Sequence, residues 1–156
     1  MSLRLPARFR AAADRVGWVA FGGLGLADCL LRGGRRPRFE PRRVRRILVI
    51  RLDLLGDLVF SVPAIRALRA AFPAAELTVL TLPYTRPLLA LVPGVDRVLS
   101  LDVNQYRRPG GWRRLGEAVA LVRALRQDGY DLCVALHGRP AGVLALLSGA
   151  RYRVGY

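Results

Sequence analysis

RILVIRLDLLGDLVFSVPAIRALRAAFP, residues 46–73, changes character once. It begins with an apolar run, Ile47 to Ile50, which reads as a buried strand. The run stops at Arg51, Asp53, Gly56 and Asp57. A helical pattern then extends from about Gly56 to Ala71. Pro63 predicts a kink or restart within it. Ser61 is the expected cap of the second part, since its hydroxyl can accept from a free backbone N–H. Phe72 and Pro73 end the pattern. The result is a strand, a loop carrying two carboxylates, and a helix. In open α/β sheets, ligands bind beyond the carboxyl ends of the strands. Asp53 and Asp57 therefore fall where chemistry is expected.

The same alternation continues. Leu77–Leu82 reads as a second strand, and Thr85–Leu91 as a short helix closed by Pro93 and Gly94. Arg97–Leu101 is a third strand, followed by a basic loop from Asn104 to Gly111. Trp112 to Gln127 predicts a helix with Leu115, Val119, Val122 and Leu125 on its apolar side. Gly129 ends it. Leu132–Leu136 is a fourth strand, Pro140–Leu147 a helix, and Tyr152–Val154 the start of a fifth strand. Repeated strand–helix units predict an α/β fold, a Rossmann-like, mostly parallel sheet of about five strands with helices on both faces. The first strand should be central.

Composition sets bounds on this reading. A chain of 156 residues is long enough for one domain with a real core. Its mean hydropathy is positive, yet no run has the uninterrupted apolar length of a membrane span. The net charge is +15, carried entirely by Arg on the basic side. Such a charge attracts polyanions: nucleic acid, anionic lipid or phosphorylated glycan. Cys29 and Cys133 stand in unrelated apolar segments, which fits buried free thiols in a reducing compartment.

Residues 1–43 read as a separate basic extension, ahead of a domain at 44–156. Arg4, Arg8, Arg10 and Arg15 precede an apolar stretch, Val16 to Leu31. A second basic block, Arg32 to Arg46, contains Gly33, Gly34, Pro37 and Pro41 and reads as a linker. The charge order is that of a signal peptide, but Asp28 interrupts the apolar region and no clean cleavage site follows. Leu26-Ala27-Asp28-Cys29 is faintly like a lipoprotein cleavage site, with Asp in a poor position. An Arg-flanked interfacial helix suits an anionic bilayer face. A helix packed on the domain's own surface is the plainer alternative.

Four blocks now stand in order: ILVIRLDLLGDLVFSVPAIRALRAAFP, LTVLTL, VPGVDRVLSLD and YDLCVALHGRPAGVLALLSGARYRVGY. Together they resemble the N-terminal half of the heptosyltransferases, glycosyltransferase family 9, which build lipopolysaccharide inner core. The resemblance runs from about residue 46 to the end. It implies the GT-B arrangement, two Rossmann-like domains facing across a cleft. The N-terminal domain takes the acceptor. The C-terminal domain, expected to be missing from this chain, holds the donor ADP-heptose. The implied reaction is inverting and metal-independent, with no cofactor. The chain alone is then expected to be inactive. The family's proposed base, the Asp of a Gly-Asp pair, falls on Asp57. The implied partners are a lipopolysaccharide inner-core acceptor and the anionic inner-membrane surface. The implied location is cytoplasmic, peripheral on the inner membrane's cytoplasmic face.

The residues support the same chemistry. Attack by a hydroxyl on an anomeric carbon benefits from a carboxylate within hydrogen-bond reach. One base serves a single displacement, whereas a retaining hydrolase needs a second carboxylate as nucleophile. Asp57 near a helix N-terminus would be held ionised; the alternative role for it is the helix cap. Gly56 would let the backbone turn tightly and approach a ligand. Asp53 either lines the acceptor cleft or pairs with Arg51 or another Arg. His137 and Arg139 end the fourth strand on the ligand edge. Arg139 suits a carboxylate or phosphate of the acceptor through a two-pronged contact. His137 reads as a hydrogen-bonding loop residue, because Cys29 and Cys133 lack the spacing of metal partners. In the family a carboxylate often stands two positions before this His or Gln motif; here Ala135 occupies it. Arg107, Arg108, Arg113 and Arg114 either hold a phosphorylated acceptor or form a solvated cluster.

Two other function classes fare worse. A nucleic-acid-binding module agrees with the charge, but no recognition motif or aromatic platform is present. A dinucleotide-binding oxidoreductase needs Gly-x-Gly-x-x-Gly at the first turn. Leu52-Asp53-Leu54-Leu55-Gly56-Asp57 lacks that spacing, and its two acids would repel a pyrophosphate.

Overall fold

Strand β1, Arg46–Ile50, pairs in parallel with β2, Glu76–Thr81, on one side and with β4, Leu132–Ala135, on the other. A computed structural model of the chain describes residues 37–102 and 115–155. Strand β3, Arg97–Ser100, flanks β2, and β5, Tyr152–Gly155, flanks β4. The order is β3-β2-β1-β4-β5, all parallel, with β1 in the centre as expected. The expected extension up to residue 36, with Cys29, lies outside the described residues. So does the basic loop with Arg107, Arg108, Arg113 and Arg114.

Alternation along β1 divides the core into two layers, because successive strand side chains point to opposite faces. Ile47 and Val49 pack with Leu58 and Ile65 of helix α1, Leu55–Ala71, and with Leu89 of helix α2, Arg86–Leu89. Leu48 and Ile50 pack on the other face with Leu125 of helix α3, Leu115–Asp128, and with Ala141 and Ala145 of helix α4, Arg139–Leu147. Helices therefore cover both faces. Burying a side chain such as Leu58 or Ile65 stabilises by about 1.5–3 kcal/mol each. Cys133 is buried in the second layer. Burial pushes its thiol up to about 12, which keeps it protonated and inert.

Three local expectations are corrected. Of the kink or restart expected at Pro63, the restart is not seen: helix α1 is one element across it. Pro63 withholds an N–H from the ladder, but Leu58 and Ile65 anchor the helix on both sides of it. Ser61 caps nothing; its hydroxyl donates to the Asp57 carbonyl at 2.8 Å. In α3, Val119 is exposed and Leu121 packs against the core instead, while Leu125 is buried as expected. The helix also packs against α4.

The compact unit containing the sheet comprises Pro37–Tyr156. Phe39 packs edge-on against Phe72 and Tyr152, and the Tyr152 hydroxyl donates to the Arg38 carbonyl at 3.1 Å. A 3-10 turn, Pro41–Arg43, then leads into β1.

Candidate active site

The chain leaves β1 through β2 and β3 on one side, then returns through α3 to β4 on the other. The strand order thus reverses between β1 and β4. Connections diverge at such a switch point and leave a crevice beyond the carboxyl ends of the two strands, where ligands bind in this class of sheet. Arg51, Asp53 and Asp57 follow β1. His137 and Arg139 follow β4. Four of the five sequence-derived candidates, Asp53, Asp57, His137 and Arg139, are charged or titratable and stand at this one edge. Gly56, the fifth, joins them.

Helix α1 begins at the crevice without a cap. Its N-cap residue is Leu54, which has no side chain to accept a hydrogen bond. The first helical bond runs from Leu58 N to Leu54 O at 3.1 Å. The preceding N–H groups, on Leu55, Gly56 and Asp57, have no intrahelical acceptor. Asp57 lies in the first helical turn and makes no capping bond, so the capping role considered for it is not observed.

Arg51 joins the two carboxylates. Its Nε is 3.5 Å from Asp53 Oδ2, and its Nη2 is 3.8 Å from Asp57 Oδ1. The Arg51 side chain is only 12% exposed, against 26% for Asp53 and 49% for Asp57. Arg51 Nε and Asp53 Oδ2 are both buried with no hydrogen-bond partner among the described residues. Of the alternatives open for Asp53, the structure shows the pairing with Arg51. The Tyr84 hydroxyl donates to the Asp53 carbonyl at 3.4 Å, which ties this loop to the end of β2.

Gly56 is not in a tight turn. It is helical, and it is absent from the positive-φ glycines. A Cβ placed on it would meet no protein atom within 4 Å. Nothing in the fold requires glycine there; the open space faces outward. Gly138 does need its freedom, since it precedes α4 with φ at 81°. His137 is exposed and Arg139 half-buried beside it. Leu54, Leu55, Val59 and Phe60 are exposed around the start of α1, with Phe60 at 84%. Among the described residues, no cluster of His, Cys, Asp or Glu could hold a metal ion.

Arg51 and Tyr84 were not singled out as site residues from the sequence. The signal for Arg51 was strand parity. It occupies the same face as Ile47 and Val49, the face that α1 covers. Tyr84 carries no local signal at all.

A solved structure of E. coli ADP-heptose lps heptosyltransferase II superposes with a TM-score of 0.56, at 28% identity, over 69% of this chain and 29% of that one. The curated Lipopolysaccharide heptosyltransferase 2 of Escherichia coli strain K12 is 28% identical over 112 residues, 71% of this chain and 31% of the relative. The chain is thus similar to the heptosyltransferases of glycosyltransferase family 9. A glycosyltransferase family 9 structure from Veillonella parvula shares the fold at a TM-score of 0.58, with 20% identity, over 76% of this chain and 33% of that one. No known protein-family profile matches. The heptosyltransferase-like chain spans less than a third of the length of the curated relatives it matches.

Proposed function

We propose that this domain forms the acceptor side of an inverting glycosyltransferase. The donor is ADP-heptose and the acceptor a lipopolysaccharide inner-core sugar. Asp57 takes the proton of the attacking hydroxyl. As the O–H bond breaks, the acceptor oxygen bonds to the anomeric carbon, and the bond from that carbon to the diphosphate breaks. Its electron pair leaves with ADP. No metal or cofactor enters the step. The observation that carries the reading is Asp57 itself: a half-exposed carboxylate at the switch-point crevice that caps nothing. His137 and Arg139, across the crevice, and the open space at Gly56 are the acceptor contacts on this reading. The nucleotide sugar binds outside this domain, so the chain alone holds acceptor and transfers nothing.

The test is Asp57→Asn in the complete enzyme, with its donor-binding domain. Asparagine keeps the size of the side chain but takes no proton at neutral pH. Transfer from ADP-heptose to a deacylated inner-core acceptor should fall about 10²–10⁴-fold. The melting temperature should hold, since Asp57 makes no cap to lose. Near-normal turnover would make Asp57 structural.

A second element of the proposal is peripheral attachment to the cytoplasmic face of an anionic membrane. The net charge of +15 supports it. Among the described residues no helix is long and apolar enough to cross a membrane. Vesicle sedimentation should show binding that needs anionic lipid and weakens with salt. Equal binding after deletion of residues 1–43 would refute a role for the basic extension.

A further inference from the structure

Asp57 has one ionic partner among the described residues, and that partner is unusually constrained. Arg51 continues the face of β1 that carries Ile47 and Val49, and its backbone N–H donates to Leu80 O at 2.9 Å, the last rung of the sheet. The guanidinium thus follows directly from the strand and lies 3.8 Å from Asp57 in the first turn of α1. A buried guanidinium needs counter-charge, because removing it from water is costly. Two carboxylates provide it, one more than neutrality requires. Asp53 is the more enclosed, with its Oδ2 shut away beside Arg51 Nε. Asp57 is the more open. One negative charge is left over, and it resides on the carboxylate that a ligand can reach.

The contact geometry matters as much as the charge. A two-pronged Arg–carboxylate pair occupies both oxygens at about 2.7–2.9 Å. Here the approach is Nη2 to Oδ1 at 3.8 Å, too long for such a pair. Among the described residues nothing pairs with Asp57 Oδ2. We infer that Arg51, held in place by Asp53, is a positioning residue that fixes the Asp57 carboxylate with Oδ2 turned to the acceptor hydroxyl. The inference rests on Asp57 acting as the base. It adds two residues with separate tasks: Asp53 holds the cation, and Arg51 aims the base.

The first measurement needs no turnover. Hα–Hβ couplings of Asp57, read by NMR on the full chain, report whether its side chain keeps one rotamer. The native chain should show one, and Arg51→Met and Asp53→Asn should show averaging. Arg51→Lys should keep part of the preference, since it restores the charge but not the fork. Arg51 is buried, so the Met variant can fail to fold; Asp53→Asn and Arg51→Lys then carry the test. The second measurement is transfer by the complete enzyme. Arg51→Met should lower kcat about 10–100-fold, as misplacing a reacting group does, while the KM for acceptor stays unchanged. A merely structural role would not split kcat from KM or be rescued by Lys. One fixed Asp57 rotamer in Asp53→Asn, and in Arg51→Met where it folds, overturns the inference. Lost turnover in Asp57→Asn beside an unchanged kcat in Arg51→Met overturns it alone. Normal turnover in Asp57→Asn removes the base reading, and this inference with it.

Discussion

The two edges of the sheet use their charges in opposite ways. At the amino ends of the strands, several charges hold the chain through short hydrogen bonds. Arg69 donates to the carbonyls of Gly94, Ala75 and Pro73 and pairs with Asp96, which also accepts from Leu77 N at 2.7 Å. Asp131 Oδ2 accepts from the backbone of Arg45 and Arg46 at 2.8 and 3.0 Å and sets the start of β1. Asp128 accepts from Arg97 and Tyr130. At the carboxyl ends the pattern reverses. Arg51, Asp53 and Asp57 sit at 3.5–3.8 Å, two of their buried atoms lack hydrogen bonds, and the helix start is uncapped. Buried polar groups are nearly always bonded, so an exception calls for a reason. Violations of local rules concentrate where a protein works. On the proposed function, the amino edge serves stability and the carboxyl edge a ligand.

The sharpest way to break this contrast is to swap the readouts. Asp57→Asn, the largest expected effect, should remove turnover and leave the melting temperature in place. Asp131→Ala should do the reverse. It strips the acceptor from two backbone N–H groups and should cost about 1–2 kcal/mol of stability, measured by urea unfolding. Its kcat should be native once the protein is folded. A catalytic loss in Asp131→Ala at intact stability would mean that the two edges are not functionally distinct. Gly56→Ala is the smallest and most discriminating change. Its Cβ meets no protein atom, and alanine is the better helix former, so stability should rise by about 0.5–1 kcal/mol. Acceptor affinity should nevertheless weaken if a ligand passes close to that backbone. A more stable variant with native acceptor affinity, read by calorimetry, would show that no ligand approaches Gly56.

Much of this architecture could be read in advance. Apolar runs bounded by Gly, Pro and charged residues located all five strands, and each boundary fell within a residue or two of the structure. The reason is that buried parallel strands need continuous apolar sequence, whatever surrounds them. Asp53 and Asp57 were placed at the ligand edge by the same local logic. The continuity of α1 through Pro63 was not legible. A proline inside a helix costs about 3 kcal/mol locally, and only the burial of Leu58 and Ile65 against the sheet offsets it. The exposure of Val119 was hidden for a related reason: which stripe of a helix faces inward depends on what the helix packs against.

The sequence alone determined the α/β class, the strand positions, the charge and the family resemblance, since each follows from local pattern and residue identity. Tertiary structure decided the rest. It set β1 and β4 side by side, so that two loops far apart in the chain share one crevice. It also decided that Asp57 does not cap α1 and that Arg51 reaches both it and Asp53. These relations depend on which face of β1 the helix α1 covers and how its first turn is oriented. Periodicity along the chain fixes which residues share a face. Only packing in three dimensions fixes what that face meets.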